Sequence, residues 1–157
     1  MKPWLEPEII THVQLILDNY HHWFGEELIE REGLSQEAIA AKLFQAPCVV
    51  LAHNTAADPI YTYGNRTALD LWERTWDELL QMPSSKSAES LPQAQTVRNQ
   101  ILTDSRDFGY KAGFDGIRVT KSGKRVQIKD VKLWDLLSET GEYRGQAAVF
   151  SKWIFLD

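Results

Sequence analysis

Two tetrapeptides in the last third of the chain, Lys121-Ser122-Gly123-Lys124 and Glu139-Thr140-Gly141-Glu142, separate three segments of strand-forming residues. Glycine at the third place permits the positive φ of a tight reversal, so each tetrapeptide reads as a hairpin turn. Strands are expected over Tyr110–Val119, Arg125–Leu136 and Tyr143–Phe155. The middle one carries a conflict: Val126 and Ile128 share one parity, Val131 and Leu133 the other. Either a bulge interrupts it near Lys129-Asp130, or both faces are partly covered.

Two shorter strands precede this meander. Cys48-Val49-Val50-Leu51-Ala52-His53 has buried-strand character, 54–59 is turn chemistry, and Ile60-Tyr61-Thr62-Tyr63 returns, which makes a hairpin. Asn65 then caps a helix through Ala68, Leu69, Leu71 and Trp72. Thr75 and Glu78 form a capping box for another short helix that ends at Met82-Pro83. Residues 84–92 read as a polar loop and 93–107 as a further helix.

At the start, Ile9, Val13, Ile16, Tyr20, Trp23 and Phe24 fall at helical spacing, with Pro7 in the first turn and Gly25 at the exit. A second helix runs from its cap Ser35 to Phe44, and 26–31 offers a short helical stretch between them. Helices, two strands, short helices and three strands give an α+β domain on an antiparallel sheet. The central helices cover one face and the N-terminal helix the other. Residues 1–46 are expected as a helical extension packed on the sheet, and 47–157 as the domain proper, the two forming one unit.

Composition narrows the function. A net charge of -5 repels phosphate backbones and argues against direct nucleic-acid binding. Cys48 is the single cysteine, so no internal disulfide forms and a reducing cytoplasm is expected. The first sixteen residues include Glu6 and Glu8 and lack the pattern of a secretory signal. The longest apolar run, Pro47–Ala52, is far too short to span a bilayer.

The order of elements, with Ile60-x-Tyr-x-x-Asn65-x-x-Ala68 entering the first central helix, resembles the PAS fold family. A tighter likeness is to the MEKHLA domain, a PAS-related family. It is carried by His22-Trp23, Leu43-Phe44-x-Ala46-Pro47, Ala57-Asp58-Pro59-Ile60, Tyr63-x-Asn65-x-x-Ala68-Leu69-x-Leu71-Trp72 and Trp76-x-x-Leu79. Gly113 to Arg118, Ser122-Gly123 and Tyr143-Arg144-Gly145-Gln146-Ala147-Ala148 extend it across nearly the whole chain. Such domains occur as free-standing bacterial, notably cyanobacterial, proteins and at the C-terminus of plant homeodomain–leucine-zipper regulators. The resemblance implies a five-stranded PAS-like sheet and a regulatory role in signal transduction. Covalent flavin chemistry is not expected, because the Asn-Cys-Arg motif is missing and Cys48 opens a strand. Haem is not expected either, since 99–107 contains no histidine to serve as axial ligand. The identity of any cofactor stays open.

Six residues are candidates for a ligand site between sheet and central helices: His53, Tyr61, Tyr63, Trp72, Phe114 and Trp134. A small apolar or aromatic ligand there, with output through protein contacts, is the leading expectation. A second is a ligand-free homodimerisation or partner-binding module, in which the Ile9–Phe24 stripe pairs with another chain. A third is a small α+β enzyme using His53, Asp58 or Asp115 as acid or base, for which no spacing signal exists. His12, His21 and His22 show no metal-ligand spacing.

Overall fold

The computed structural model describes residues 2–87, 99, 101 and 108–156. Helix α1 spans Pro7–Phe24 with proline at its first position, where a missing N–H costs nothing. It ends on Gly25 at φ 71, the left-handed residue that closes a helix. Helix α2 spans Gln36–Phe44, and the Ser35 side chain accepts from the Ala38 N–H at its start. The expected helical stretch at 26–31 is absent. Those charges serve tertiary contacts instead: Arg31 holds both Asp18 and Glu27, and Lys42 donates to the Glu30 carbonyl.

The sheet has the order β2-β1-β5-β4-β3, with β6 also paired to β4, and all pairs are antiparallel. The strands are β1 (Val49–His53), β2 (Tyr61–Gly64), β3 (Tyr110–Val119), β4 (Arg125–Leu137), β5 (Tyr143–Phe150) and β6 (Lys152–Leu156). There are thus six strands where five were expected. The cause is the bulge at Lys129-Asp130. Ile128 pairs with Gly116 but Val131 with Phe114, so two residues of β4 stand against Asp115 alone. Asp130 takes φ 53, and its N–H donates to the Asp115 carboxylate at 3.0 Å. Beyond that kink β4 exchanges one neighbour for another: 125–129 pair with β6 and 132–137 with β5. The last expected strand is accordingly broken at Ser151.

Pairing defines the two faces, because residues directly opposite share a face and successive ones alternate. One cross-sheet row is Tyr63, Ala52, Ala147 and Trp134; the next is Tyr61, His53, Gln146 and Asp135. Helix α1 lies on the face of the first row. The Trp134 indole donates to the Ile16 carbonyl at 3.2 Å, and the Asn19 amide exchanges two bonds with the Leu137 backbone. Val13, Ile16, Leu17 and Tyr20 are buried there. That corrects the expectation of α1 as a dimerisation stripe, for its apolar side is spent on the chain's own sheet.

Helices α3 (Arg66–Trp72) and α4 (Trp76–Leu79) follow β2. Thr75 and Glu78 make the complete capping box of α4. Asn65 does more than cap α3. Its amide oxygen accepts from Ala68 and Val50, and its nitrogen donates to the carbonyls of Leu43 and Cys48. One fully buried side chain therefore ties α2, β1 and α3 together.

Candidate ligand cavity

The row Tyr61, His53, Gln146 and Asp135 is polar on a sheet face that is otherwise apolar. Buried polar groups need partners, and several are visible. Gln146 donates to Asp135 at 3.0 Å, both side chains being buried. The Tyr61 hydroxyl meets Ser87 at 3.0 Å, and Ser87 in turn donates to the Ser84 carbonyl. Nδ1 of His53 lies 3.1 Å from the Asn54 carbonyl. A carbonyl only accepts, so Nδ1 carries a proton and donates it to that carbonyl.

A cavity of about 70 Å³ opens beside this row. Leu51, Ile128, Val131, Leu133 and Phe150 form its apolar wall, with Phe114 and Arg118 from β3 at the side and Trp72 of α3 opposite the sheet. Trp72 is buried, 6.1 Å from Phe150 between ring centroids. Its indole N–H has no hydrogen-bond partner among the described residues. Leaving such a donor unsatisfied costs about 1–3 kcal/mol.

Of the six candidates from sequence, His53, Tyr61, Trp72 and Phe114 line the cavity. Tyr63 and Trp134 do not, because they belong to the neighbouring row on the other face. Tyr63 packs edge-on against Trp76 at 5.7 Å, beside the stacked pair of Trp4 and Phe44. Burial raises its phenol far above the ordinary tyrosine range. Trp134 lies under α1 against Tyr20 and Phe24. Gln146, Ser84, Ser87 and Arg118 also line it and are not among the six, and Asp135 joins only through its bond from Gln146. A glutamine inside an apolar strand was the only signal for the first, and strand pairing is needed to read it.

His53, Asp58 and Asp115 are not brought together. Asp58 is exposed in the β1–β2 turn, and Asp115 is exposed at the bulge. Cys48 is half-buried outside the cavity lining, and burial raises its thiol pKa, which disfavours the reactive thiolate. The lining therefore does not suit a covalently held flavin, and the volume is about half that of a cavity known to admit benzene. The residues 99–107 considered for a haem ligand lie largely outside the described residues. Among the described residues no cluster of His, Cys, Asp or Glu is placed to hold a metal ion, and no helix is long and apolar enough to cross a membrane.

The β3–β4 hairpin cations are mostly engaged. Lys121 pairs with Glu78 at 2.6 Å, Lys124 with Glu73 at 3.3 Å, and Lys132 reaches Tyr20 and Glu26. Bonds from Ser122 and from Lys121 hold the Glu73 and Glu78 carboxyls down to about 2.

The sequence model of one family, the MEKHLA domain, matches residues 10–155. Similar curated proteins are homeobox-leucine zipper proteins of plants. HOX29 of Oryza sativa subsp. japonica is 25% identical over 153 residues, covering 96% of this chain and 17% of that protein. REVOLUTA of Arabidopsis thaliana is 23% identical over 158 residues, covering 96% and 18%. The chain thus spans under a fifth of the length of these relatives. They are plant proteins, so the free-standing cyanobacterial type expected from sequence finds no support among them.

Among solved structures, a PAS domain from Colwellia psychrerythraea superposes with a TM-score of 0.61 at 11% identity, over 72% of this chain and 92% of that one. The light-state dimer of the fungal blue-light photoreceptor Vivid gives 0.59 at 12%, over 90% and 91%. A PAS domain of a LuxR-family regulator from Burkholderia thailandensis, in complex with ethanol, gives 0.55 at 14%, over 69% and 92%. At such identities the likeness establishes the fold, an α+β PAS-type domain.

Proposed function

Because this chain belongs to the MEKHLA domain family, we propose that it is a non-catalytic regulatory domain of PAS type that holds a very small ligand in the cavity beside Trp72. The observation that carries this reading is Trp72, which lines that cavity and whose buried indole N–H has no acceptor among the described residues. A ligand of a few heavy atoms, apolar with one hydrogen-bond acceptor, suits both the volume and the donor. The PAS domain from Burkholderia thailandensis, in complex with ethanol, supports a molecule of that size.

Binding would favour one of two arrangements of α1 or of the sheet surface, and a ligand acts only by its differential affinity for the two. Output then passes to a partner protein or a second copy, and Vivid, a dimer, supports the latter. In this reading 1–46 is the helical extension packed on the sheet and 47–157 the domain that binds. The single cysteine favours a cytoplasmic setting.

Native mass spectrometry of gently purified protein, set against its denatured mass, tests the proposal. A retained small molecule, or a monomer–dimer balance that shifts when short-chain alcohols are added, is expected. A bare monomer indifferent to them would overturn it.

A further inference from the structure

Lys129 and Lys152 stand directly opposite each other in the β4–β6 ladder. Like charges so placed destabilise a sheet, and among the described residues neither ammonium group has an ion-pair partner. Two residues on, and on the same face, Ile154 is 48% exposed, while Phe155 on the opposite face is 56% exposed. Among the described residues β6 pairs with β4 alone, so one row of its backbone N–H and C=O groups has no ladder partner.

The sheet's other edges are obstructed. β2 is four residues long, and on its outer side the Tyr61 N–H already donates to Met82 beside the Ile60–Pro83 bridge. β3 is interrupted by two register shifts and by Gly113 at φ 75. Natural edges are commonly guarded by charges, bulges or proline. After Lys152 the strand β6 has none: Trp153-Ile154-Phe155-Leu156 is regular and uncharged.

We propose that the free edge of β6 accepts an extended, acidic segment of a partner protein as an added strand. Its backbone completes the open ladder, its carboxylates share the face of Lys152, whose repulsion from Lys129 they relieve, and its apolar side chains lie on the opposite face beside Trp153 and Phe155. The charge pattern selects this occupant. A second copy of β6, whose one charge within 152–156 is Lys152, would bring no carboxylate to the pair, whereas an acidic segment would relieve the existing repulsion. A backbone edge is of no use to a lipid surface. The proposal is independent of the cavity and stands or falls separately from it.

The test uses nitrogen-15-labelled protein and a capped hexapeptide of alternating glutamate and valine. The amide resonances of 152–156 are expected to shift on titration, with binding that weakens as salt is added. Lys152→Glu and Lys129→Glu, each of which turns the repulsive pair into an attractive one and so should not lower the melting temperature, should each weaken binding about tenfold. The proposal is overturned if the shifts fall elsewhere, or if the lysine–valine hexapeptide binds equally well. It is overturned too if phosphatidylserine vesicles bind while the peptide does not, or if the protein alone self-associates through 152–156.

Discussion

The ring of Trp23 packs so closely over Gly109 that its six-membered carbons occupy the place a Cβ would take. The same indole donates to the Asp135 carbonyl at 2.9 Å, and the Asp135 N–H donates to the Gly109 carbonyl at 2.8 Å. The end of α1 is thereby locked onto β4 and the entry to β3 at Asp135, a member of the polar row beside the cavity.

Gly109→Ala should therefore destabilise the domain by about 2–4 kcal/mol, combining strain at φ 86 with displacement of Trp23. Urea unfolding followed by tryptophan fluorescence measures it. A loss under about 0.5 kcal/mol would mean that Trp23 moves aside freely, and that α1 is only loosely held.

Asn65→Ala removes four bonds rather than one cap bond. An ordinary cap is worth about 1 kcal/mol. Four partners left inside the protein raise the expected loss to about 3 kcal/mol or more, because unsatisfied buried groups carry their full desolvation cost. Chemical denaturation decides between the two figures.

These two residues show what the sequence made legible. Asn65, Ser35 and the Thr75–Glu78 box were readable because capping is local: the residue type and the helix it begins lie within four positions. The two glycine turns and the parity conflict around Lys129-Asp130 were local in the same sense. What depended on pairing was not. Tyr61 and Tyr63, two apart, look as if they share a face, but the register shift between Ala52 and His53 puts them in different rows. The break at Ser151 carries no glycine or proline to mark it, and it matches the change of neighbour along β4 at the bulge. Trp134 offered no sign of which helix would cover it, and Gly109 none of the indole above it.

Acid should weaken the domain through His12. Its Nε2 lies 2.9 Å from the Thr62 hydroxyl, and burial pushes its pKa down to about 4. A histidine whose pKa falls on folding binds fewer protons folded than unfolded, so stability rises with pH. The full contribution is present above about 6.5 and is lost as pH falls toward 4, a change of up to about 3 kcal/mol. The carboxylates Glu73 and Glu78, with folded pKa values lowered to about 2, lose their contribution only below the ordinary glutamate value. Melting curves between pH 5 and about 6.5 therefore isolate His12 from them. His12→Gln should flatten that slope; an unchanged slope would assign it to another group.

Trp72 separates packing from hydrogen bonding. Trp72→Ala should cost about 3–5 kcal/mol, as for any large buried aromatic. Trp72→Phe removes the unsatisfied N–H with most of the ring area kept, and should cost less than about 1.5 kcal/mol. If Phe were as damaging as Ala, the indole N–H would be bonded in solution and not available to a ligand.

The most direct test of the central claim is the nitrogen-15 resonance of the Trp72 indole N–H, assigned by its loss in Trp72→Phe, during titration with ethanol and other molecules of similar size. A saturable downfield shift of that one indole signal, with the Trp134 and Trp23 indoles unmoved, is the expected result. An indole signal that stays in place while every small probe is added would contradict a ligand cavity beside Trp72.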